Sequence, residues 1–283
     1  MSSEEIKAGQ HQQPALWLRL RTCLVATLVL LVACGSTATS TPSQPPVVLR
    51  IGFAESLQPL RDVIMPIYGD EAPAESLEIQ TGHAPRLLSD LRLEQMDAVF
   101  VLGEPAAEEG WWMTPVAIEG LALVVNPENQ ASGLTLSQVQ DVFQGRIWSW
   151  EMLGGAAANI QVVTREEYSA AWELFQRLAM EEHRVTLAAV VMPDSAAVLD
   201  YVSSNPWAIG YVTAAFLDGR VKPLAVEGLF PLLETLQDQS YPFHFPVYFV
   251  AYQDPTGPGR RLPAWLLSRD GQAVIGRVYG RVR

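Results

Sequence analysis

The chain has 283 residues, a length that suits one large domain or two of medium size. Hydrophobic residues make up 49% of it and charged residues 18%, so it can bury a core and is not of the disordered class. Its 31 acidic residues outnumber its 19 Lys and Arg, giving a net charge of −12. This balance disfavours nucleic-acid binding, because phosphate backbones are neutralised by basic patches. Two cysteines are too few for a disulfide scaffold or a Cys-rich zinc site.

The N-terminal region has the pattern of a secretory signal. Lys7, Arg19 and Arg21 precede an apolar run of eleven residues, 23–33. This run is shorter than the roughly 20 residues that a membrane-spanning helix needs. It is typical of the apolar segment of a signal peptide.

The end of that run resembles the bacterial lipobox, in which small residues precede a cysteine that becomes lipidated. Here Cys34 follows Ala33 and is followed by small residues. We therefore predict a lipoprotein signal peptide over residues 1–33, lipidation of Cys34 and an uncharged flexible tether over residues 34–46. An ordinary signal peptide with a chance cysteine, or a short anchor helix, are the alternatives.

From Val47 onward, strand and helix patterns alternate, which predicts an α/β fold with parallel sheets covered by helices. The predicted strands are 47–53, 77–79, 97–102, 118–125, 161–164, 208–212 and 246–251. The predicted helices are 56–68 capped by Ser56, 85–94, 136–143, 169–182, one capped by Asp194, and 263–279.

Several motifs appear along the chain in a particular order. They are GLALVVNP at 120–127, LTLSQVQDVFQGRIWSWEMLGG at 134–155, VTREE at 163–167, NPWAIGYV at 205–212 and SRDGQAVI at 268–275. Together they resemble the phosphate-binding lipoproteins of ABC phosphate importers. The resemblance implies a type II periplasmic-binding-protein fold, in which two α/β lobes joined by crossing hinge strands enclose a ligand. We place one lobe at 47–120 plus 236–283 and the other at 121–235.

The resemblance also implies ligand-binding residues in three loops that follow strands. Ser56 follows the first strand, where it is expected to bind the ligand, to cap its helix, or both. Glu104 follows the third strand. Arg165, Tyr168 and Ser169 follow the strand that ends at Thr164.

The same loops depart from the family pattern. Tyr168 and Ala170 stand where the family has glycines that let the backbone approach an anion closely. Glu55 and Glu104, if they face the cleft, would repel a doubly charged anion. Aromatic residues could instead line a larger pocket: Tyr168, Trp172 and the Trp111–Trp112 pair. The alternative for Trp172 is packing with Phe175 and Leu178, and Trp148 and Trp150 are predicted to pack.

The four histidines are scattered and form no close metal pair, and no catalytic or nucleotide-binding motif is present. We therefore predict a lipid-anchored, extracytoplasmic solute-binding protein that binds phosphate or another oxyanion and delivers it to an ABC permease. It would have no cofactor, metal, catalytic step or nucleic-acid partner. The alternative is a divergent protein of the same fold that acts as a sensor or partner module, with a different ligand or none. An enzyme that uses the cleft between the lobes is the more remote alternative.

Overall fold

The computed structural model describes residues 47–181 and 183–282. The predicted signal peptide, Cys34 and the tether lie outside these residues, as does Glu182 at the predicted end of one helix.

Eleven strands lie within the described residues, and nine of them form one large sheet. They are β1 (Val47–Ala54), β2 (Glu75–Gly82), β3 (Ala98–Leu102), β4 (Trp111–Val125), β5 (Gly133–Leu134), β6 (Gln161–Arg165), β7 (Val190–Met192), β8 (Ala208–Thr213), β9 (Lys222–Pro223), β10 (Ala225–Val226) and β11 (His244–Tyr252).

Helices flank these strands. The α-helices of the described residues are α1 (Gln58–Glu71), α2 (Ala84–Arg92), α3 (Leu136–Phe143), α4 (Ala170–Phe175), α5 (Ser195–Ser204), α6 (Leu233–Gln237), α7 (Pro258–Leu266) and α8 (Arg269–Ile275). Short 3-10 helices lie at Glu55–Leu57, Trp150–Leu153 and Ala214–Phe216, and a π-helix at Gln176–Met180 continues α4.

The large sheet has the order β2-β1-β3-β11-β4-β8-β6-β7, with β9 beside β4. Its two ends are parallel: β1 pairs with β2 and β3, and β6 pairs with β7 and β8. Its centre is antiparallel, because β11 runs against both β3 and β4, and β4 runs against β8. The parallel pairing predicted from the sequence is thus found at the two ends of the sheet, whereas its centre is antiparallel.

Strand β4 connects the two parallel groups. Its first part pairs with β11 as far as Gly120, and its second part pairs with β8 from Leu121 onward. Following the strand directions through the sheet, β1 and β3 run towards the second group and β6 runs towards the first. The carboxyl ends of the two groups therefore face each other, and we call the space between them the cleft.

The buried apolar residues form clusters that follow the same division. One large cluster joins β1, β3 and α1 through residues such as Phe53, Phe100 and Ile64. Another joins β4, β8 and α4 through residues such as Leu123, Tyr211 and Phe175. Burial of these side chains supplies the main favourable free energy of folding on both sides of the cleft.

Local sequence signals account for several element ends. Helix α3 begins with a capping box, in which Thr135 Oγ1 accepts from Gln138 N at 3.2 Å and Gln138 Oε1 accepts from Thr135 N at 2.9 Å. Gly145 follows the end of α3 with a φ of 79°, a left-handed conformation that favours glycine. Both ends of this helix agree with the prediction from the sequence.

Three predicted helices differ from the observed ones. The first begins at Gln58 rather than behind a Ser56 cap, since Glu55–Leu57 form a 3-10 turn. The helix predicted over 169–182 is α-helical only to Phe175 and then becomes a π-helix.

The helix predicted over 263–279 is two helices. The break lies at Ser268, whose hydroxyl donates to Trp265 O at 2.7 Å and accepts from Gly271 N at 3.1 Å. Ser268 thereby ends α7 and caps α8.

Candidate functional site

Arg165 is the last residue of β6 and is buried at the cleft, with an exposed fraction of 1%. Its guanidinium donates to protein acceptors with all three of its nitrogens. Nε donates to Met192 O at 3.3 Å, Nη1 to Ser195 Oγ at 3.4 Å and Nη2 to Pro193 O at 2.9 Å. The end of β7 and the start of α5 thus fix a positive charge at the carboxyl end of β6.

Glu55 supplies the negative charge from the opposite side of the cleft. It follows β1, and its Oε1 accepts from Arg165 Nη2 at 2.6 Å. Glu55 also contacts His83, which follows β2, with 3.1 Å between Oε2 and Nδ1. The pair therefore joins loops from the two parallel groups of strands, so Glu55 faces the cleft, a case that the sequence left open.

Ser56 is buried beside this pair, with an exposed fraction of 1%. Its hydroxyl lies 3.4 Å from Glu55 Oε1. Within the described residues, no side chain caps the 3-10 turn or α1, whose N-terminal cap position is Leu57. The prediction that Ser56 caps its helix is therefore wrong, and its position beside Arg165 and Glu55 is the one to explain.

Ser169 is also buried and lies four residues after Arg165. Its hydroxyl accepts from Trp172 N at 3.3 Å and donates to Glu166 O at 2.9 Å, so Ser169 caps α4. The structure therefore brings Ser56, Arg165 and Ser169 to the cleft on loops that follow β1 and β6.

Tyr168 is 70% exposed and has a φ of 70°. Its backbone thus adopts the left-handed conformation that glycine would adopt without steric cost. Its ring centroid lies 6.3 Å from that of Trp172, at the surface.

Glu104 is exposed after β3 and does not contact Arg165, so the structure separates it from the group formed by Ser56 and Arg165. It lines a cavity of about 220 Å³ together with Glu173 and Arg177 of the opposite side. Burial, and next the charge of Glu104, raise the pKa of Tyr248. Burial likewise raises the pKa of Glu173, which the charge of Arg177 partly offsets.

A larger cavity of about 650 Å³ is lined by Arg165, by residues of α4 and the π-helix, and by residues of the segment 183–191. Trp172 is among the residues that line this cavity. Trp112 instead packs edge-on against Phe249, with ring centroids 6.1 Å apart, and Trp111 pairs with Tyr252 within the sheet. The proposal that the Trp111–Trp112 pair lines a ligand pocket finds no support here.

Trp148 and Trp150, which were both predicted to pack in the interior, differ in burial. Trp150 is buried, and its Nε1 donates to Trp207 O at 3.0 Å. Trp148 is 60% exposed, so its assignment to packing is wrong. The sequence could not separate them because both lie in the same short motif.

Comparisons with known proteins decide the family. A family model described as a PBP superfamily domain matches residues 40–271. The chain belongs to the PBP superfamily.

Individual members that resemble the chain include the phosphate-binding protein PstS of Bacillus subtilis (strain 168), 23% identical over 273 residues and 91% of each chain. A Clostridium perfringens protein, solved with bound phosphate and described as a substrate-binding protein of a phosphate ABC transporter, is 25% identical. Its TM-score is 0.77, over 83% of this chain and 100% of that one. An ABC-type phosphate transport receptor from Vibrio cholerae is 24% identical, with a TM-score of 0.70 over 82% of this chain and 99% of that one.

These findings confirm the resemblance inferred from the sequence motifs and the two-lobed α/β fold that it implied. No helix among the described residues is both long enough and apolar enough to cross a membrane. Over the same residues, no group of three or more His, Cys, Asp or Glu side chains is placed to hold a metal ion.

Sequence reasoning missed three residues that contact Glu55 or Arg165 in the site. His83 contacts Glu55, and Ser195 contacts Arg165. The hydroxyl of Tyr211 accepts a hydrogen bond from the backbone N–H of Arg165. His83 directly follows β2 as observed, which ends at Gly82, whereas the strand predicted there was 77–79, so the sequence did not place His83 at a strand end. Ser195 and Tyr211 belong to elements whose placement beside β6 becomes visible only in the folded sheet.

Proposed function

We propose that the chain is an extracytoplasmic solute-binding protein that binds phosphate or another oxyanion in the cleft and delivers it to an ABC permease. The names of its relatives support this proposal, because they are phosphate-binding proteins and substrate-binding proteins of phosphate ABC transporters. Such a protein binds and releases its ligand without a catalytic step.

Buried Arg165 is the observation that carries the proposal. A guanidinium is always charged and presents donors that match the oxygens of phosphate. Arg165 lies where the carboxyl ends of strands from both sides meet, the usual position of a ligand in an open α/β sheet. The hydroxyls of Ser56 and Ser169 lie on the adjoining loops and are the proposed neutral donors.

We propose lobes at 47–120 plus 236–283 and at 121–235, which close on the ligand by bending about the strands between them. The change of partner along β4 supports this division, because its pairing passes from β11 to β8 between Gly120 and Leu121. Closure of two lobes would convert ligand occupancy into a shape that a permease can recognise.

The proposed membrane attachment is a lipid on Cys34, which lies outside the described residues. The apolar run before Cys34 and the uncharged segment after it support this attachment. In cells, Cys34→Ser should move the protein from the membrane fraction to the soluble fraction, whereas Cys23→Ser should not. Membrane retention of the Cys34→Ser variant would contradict lipid anchoring.

Calorimetric titration of the full chain with phosphate, sulfate, molybdate and amino acids tests the proposed ligand. We expect phosphate to bind, and Arg165→Ala to weaken binding by at least 100-fold because the fixed positive charge is lost. Ser169→Ala should weaken it by about tenfold, the effect of one lost hydrogen bond. Arg146→Ala and Ser204→Ala remove the same groups from exposed positions and should change the affinity less than twofold.

The hydrogen bonds that Arg165 already makes to protein groups favour a second candidate function. Its donors already bind protein groups, Glu55 among them, so a sensor or partner module without a small ligand would need no change at this site. Failure of every oxyanion and amino acid to bind would contradict the transport proposal and favour this candidate.

A further inference from the structure

The carboxylate of Glu55 occupies the position at Arg165 where a bound oxyanion would be expected. Its Oε1 lies 2.6 Å from Arg165 Nη2 and 3.4 Å from Ser56 Oγ. Its Oε2 lies 3.1 Å from His83 Nδ1. One negatively charged group from the chain itself therefore contacts a guanidinium, a hydroxyl and an imidazole at once, as an oxyanion ligand would.

The remaining acceptors around Arg165 cannot leave in the same way. Met192 O and Pro193 O are backbone carbonyls at the end of β7, and Ser195 is a buried residue at the start of α5. Glu55 belongs to the opposite side of the cleft, and its side chain keeps 23% of its accessible surface. Glu55 is thus the acceptor that can withdraw from Arg165 without unfolding a strand or a helix.

We propose that Glu55 is an internal competitor of the ligand: its carboxylate pairs with Arg165 in the empty protein and must be displaced before an oxyanion binds. This inference rests on the proposed function, since it concerns the same cleft. The pair also ties the loop after β1 to the end of β6, so it holds the two sides of the cleft together in the absence of ligand.

Because both are negatively charged, the Glu55 carboxylate and an oxyanion ligand cannot bind Arg165 at the same time. A buried guanidinium needs a counter-charge, and Glu55 provides it in the empty protein. An oxyanion that arrived while Glu55 stayed in place would put two negative charges side by side within a few ångströms. The apparent affinity for the ligand therefore equals the intrinsic affinity multiplied by the fraction of protein in which Glu55 is not paired with Arg165.

The decisive variant is Glu55→Gln, which keeps the shape of the side chain and removes its charge. We expect calorimetry on the full chain to show phosphate binding at least tenfold tighter than in the wild-type protein. Glu166→Gln is the matched control, because Glu166 lies beside Arg165 in sequence and its Oε1 is 4.0 Å from His83 Nε2. It removes the same charge near the same site, and it should change the phosphate affinity less than threefold.

Thermal unfolding gives a second measurement, which reports the stability of each variant as well as its response to phosphate. Without Glu55, Arg165 has lost its carboxylate partner, so Glu55→Gln should unfold at a lower temperature than wild type in phosphate-free buffer. Added phosphate should restore that loss, and raise the unfolding temperature of Glu55→Gln more than that of wild type or Glu166→Gln.

The possible results separate the two proposals. If wild type binds phosphate and Glu55→Gln binds it equally or more weakly, Glu55 is not a competitor, while the transport proposal stands. A larger phosphate-induced rise in unfolding temperature for wild type than for Glu55→Gln would also overturn the competitor. If neither protein binds phosphate, sulfate or molybdate and none of these oxyanions stabilises either protein, both proposals fail together.

Discussion

Tyr211 of β8 contacts Arg165 and so connects β8 to the end of β6. Its hydroxyl accepts from Arg165 N at 3.2 Å and lies 2.9 Å from Thr164 Oγ1. Its ring stacks on Phe175 with a centroid distance of 4.0 Å. Burial raises the pKa of Tyr211 to about 12, so its hydroxyl keeps its proton at any pH used for binding experiments. The backbone that carries the guanidinium is thus supported by a buried, neutral hydroxyl.

Removing that hydroxyl should cost stability without changing the packing of the ring. Tyr211→Phe leaves Arg165 N and Thr164 Oγ1 buried with one partner fewer, and we expect the free energy of unfolding to fall by about 1–3 kcal/mol. Urea denaturation followed by circular dichroism measures the change. Tyr252→Phe makes the same substitution on a ring that is 40% exposed, and it should stay within about 0.5 kcal/mol of wild type. Equal effects of the two variants would contradict a role for the Tyr211 hydrogen bonds.

Tyr168 provides a prediction about backbone strain. Its φ of 70° places a bulky residue in the left-handed region, where a side chain costs about 1 kcal/mol or more relative to glycine. Tyr168→Gly should therefore be more stable than Tyr168→Ala by about 1 kcal/mol, since both variants lose the same exposed ring. Ala196→Gly, on the exposed face of α5, should have the opposite sign and destabilise by about 1 kcal/mol. A more stable Tyr168→Ala would show that the loop has another conformation.

Much of the fold follows from local sequence signals. The apolar run Leu121–Val125 predicts a buried strand, Thr135 and Gln138 predict the start of α3, and Asp194 predicts the start of α5. The prediction of one helix that continues past Ser268 is wrong, because the chain turns sharply at Ser268, which caps the next helix. A Cβ at Gly271 would lie 2.0 Å from Trp265 O, so the chain folds back on itself too tightly for one straight helix.

The candidate site was predictable only in part, because its key contact joins residues 110 positions apart. Arg165 and Ser169 are identified as cleft residues because they follow a predicted strand and match the motif of the phosphate-binding family. These signals do not reveal that Glu55 reaches Arg165, since that depends on the opposite directions of β1 and β6 within one sheet. Sequence alone thus identifies Glu55 as a repulsive charge, whereas the folded sheet makes it a partner.

Glu119 supplies a prediction about pH, because it is a carboxyl buried at the point where β4 changes partners. Its Oε1 accepts from Gly120 N at 2.8 Å, and its Oε2 has no hydrogen-bond partner among the described residues. Burial raises the pKa of Glu119 to about 8, an increase that hydrogen bonds from backbone N–H groups only partly offset. The folded protein therefore carries this carboxyl in its neutral form at neutral pH.

Because the folded state holds the proton of Glu119 more tightly than the unfolded state, the stability contributed by Glu119 should decline as the pH rises. Between pH about 4.5, where an unfolded glutamate loses its proton, and pH about 8, the folded state binds the extra proton. The contribution of Glu119 is thus fully present below pH 4.5 and declines by roughly 1 kcal/mol per pH unit until pH 8. Glu119→Gln should remove this component, seen as a flatter plot of unfolding free energy against pH in urea titrations from pH 5 to 9. Glu78→Gln, at an exposed position of β2, should leave the slope as in wild type, and an unchanged slope in Glu119→Gln would mean that Glu119 is ionised in the folded protein.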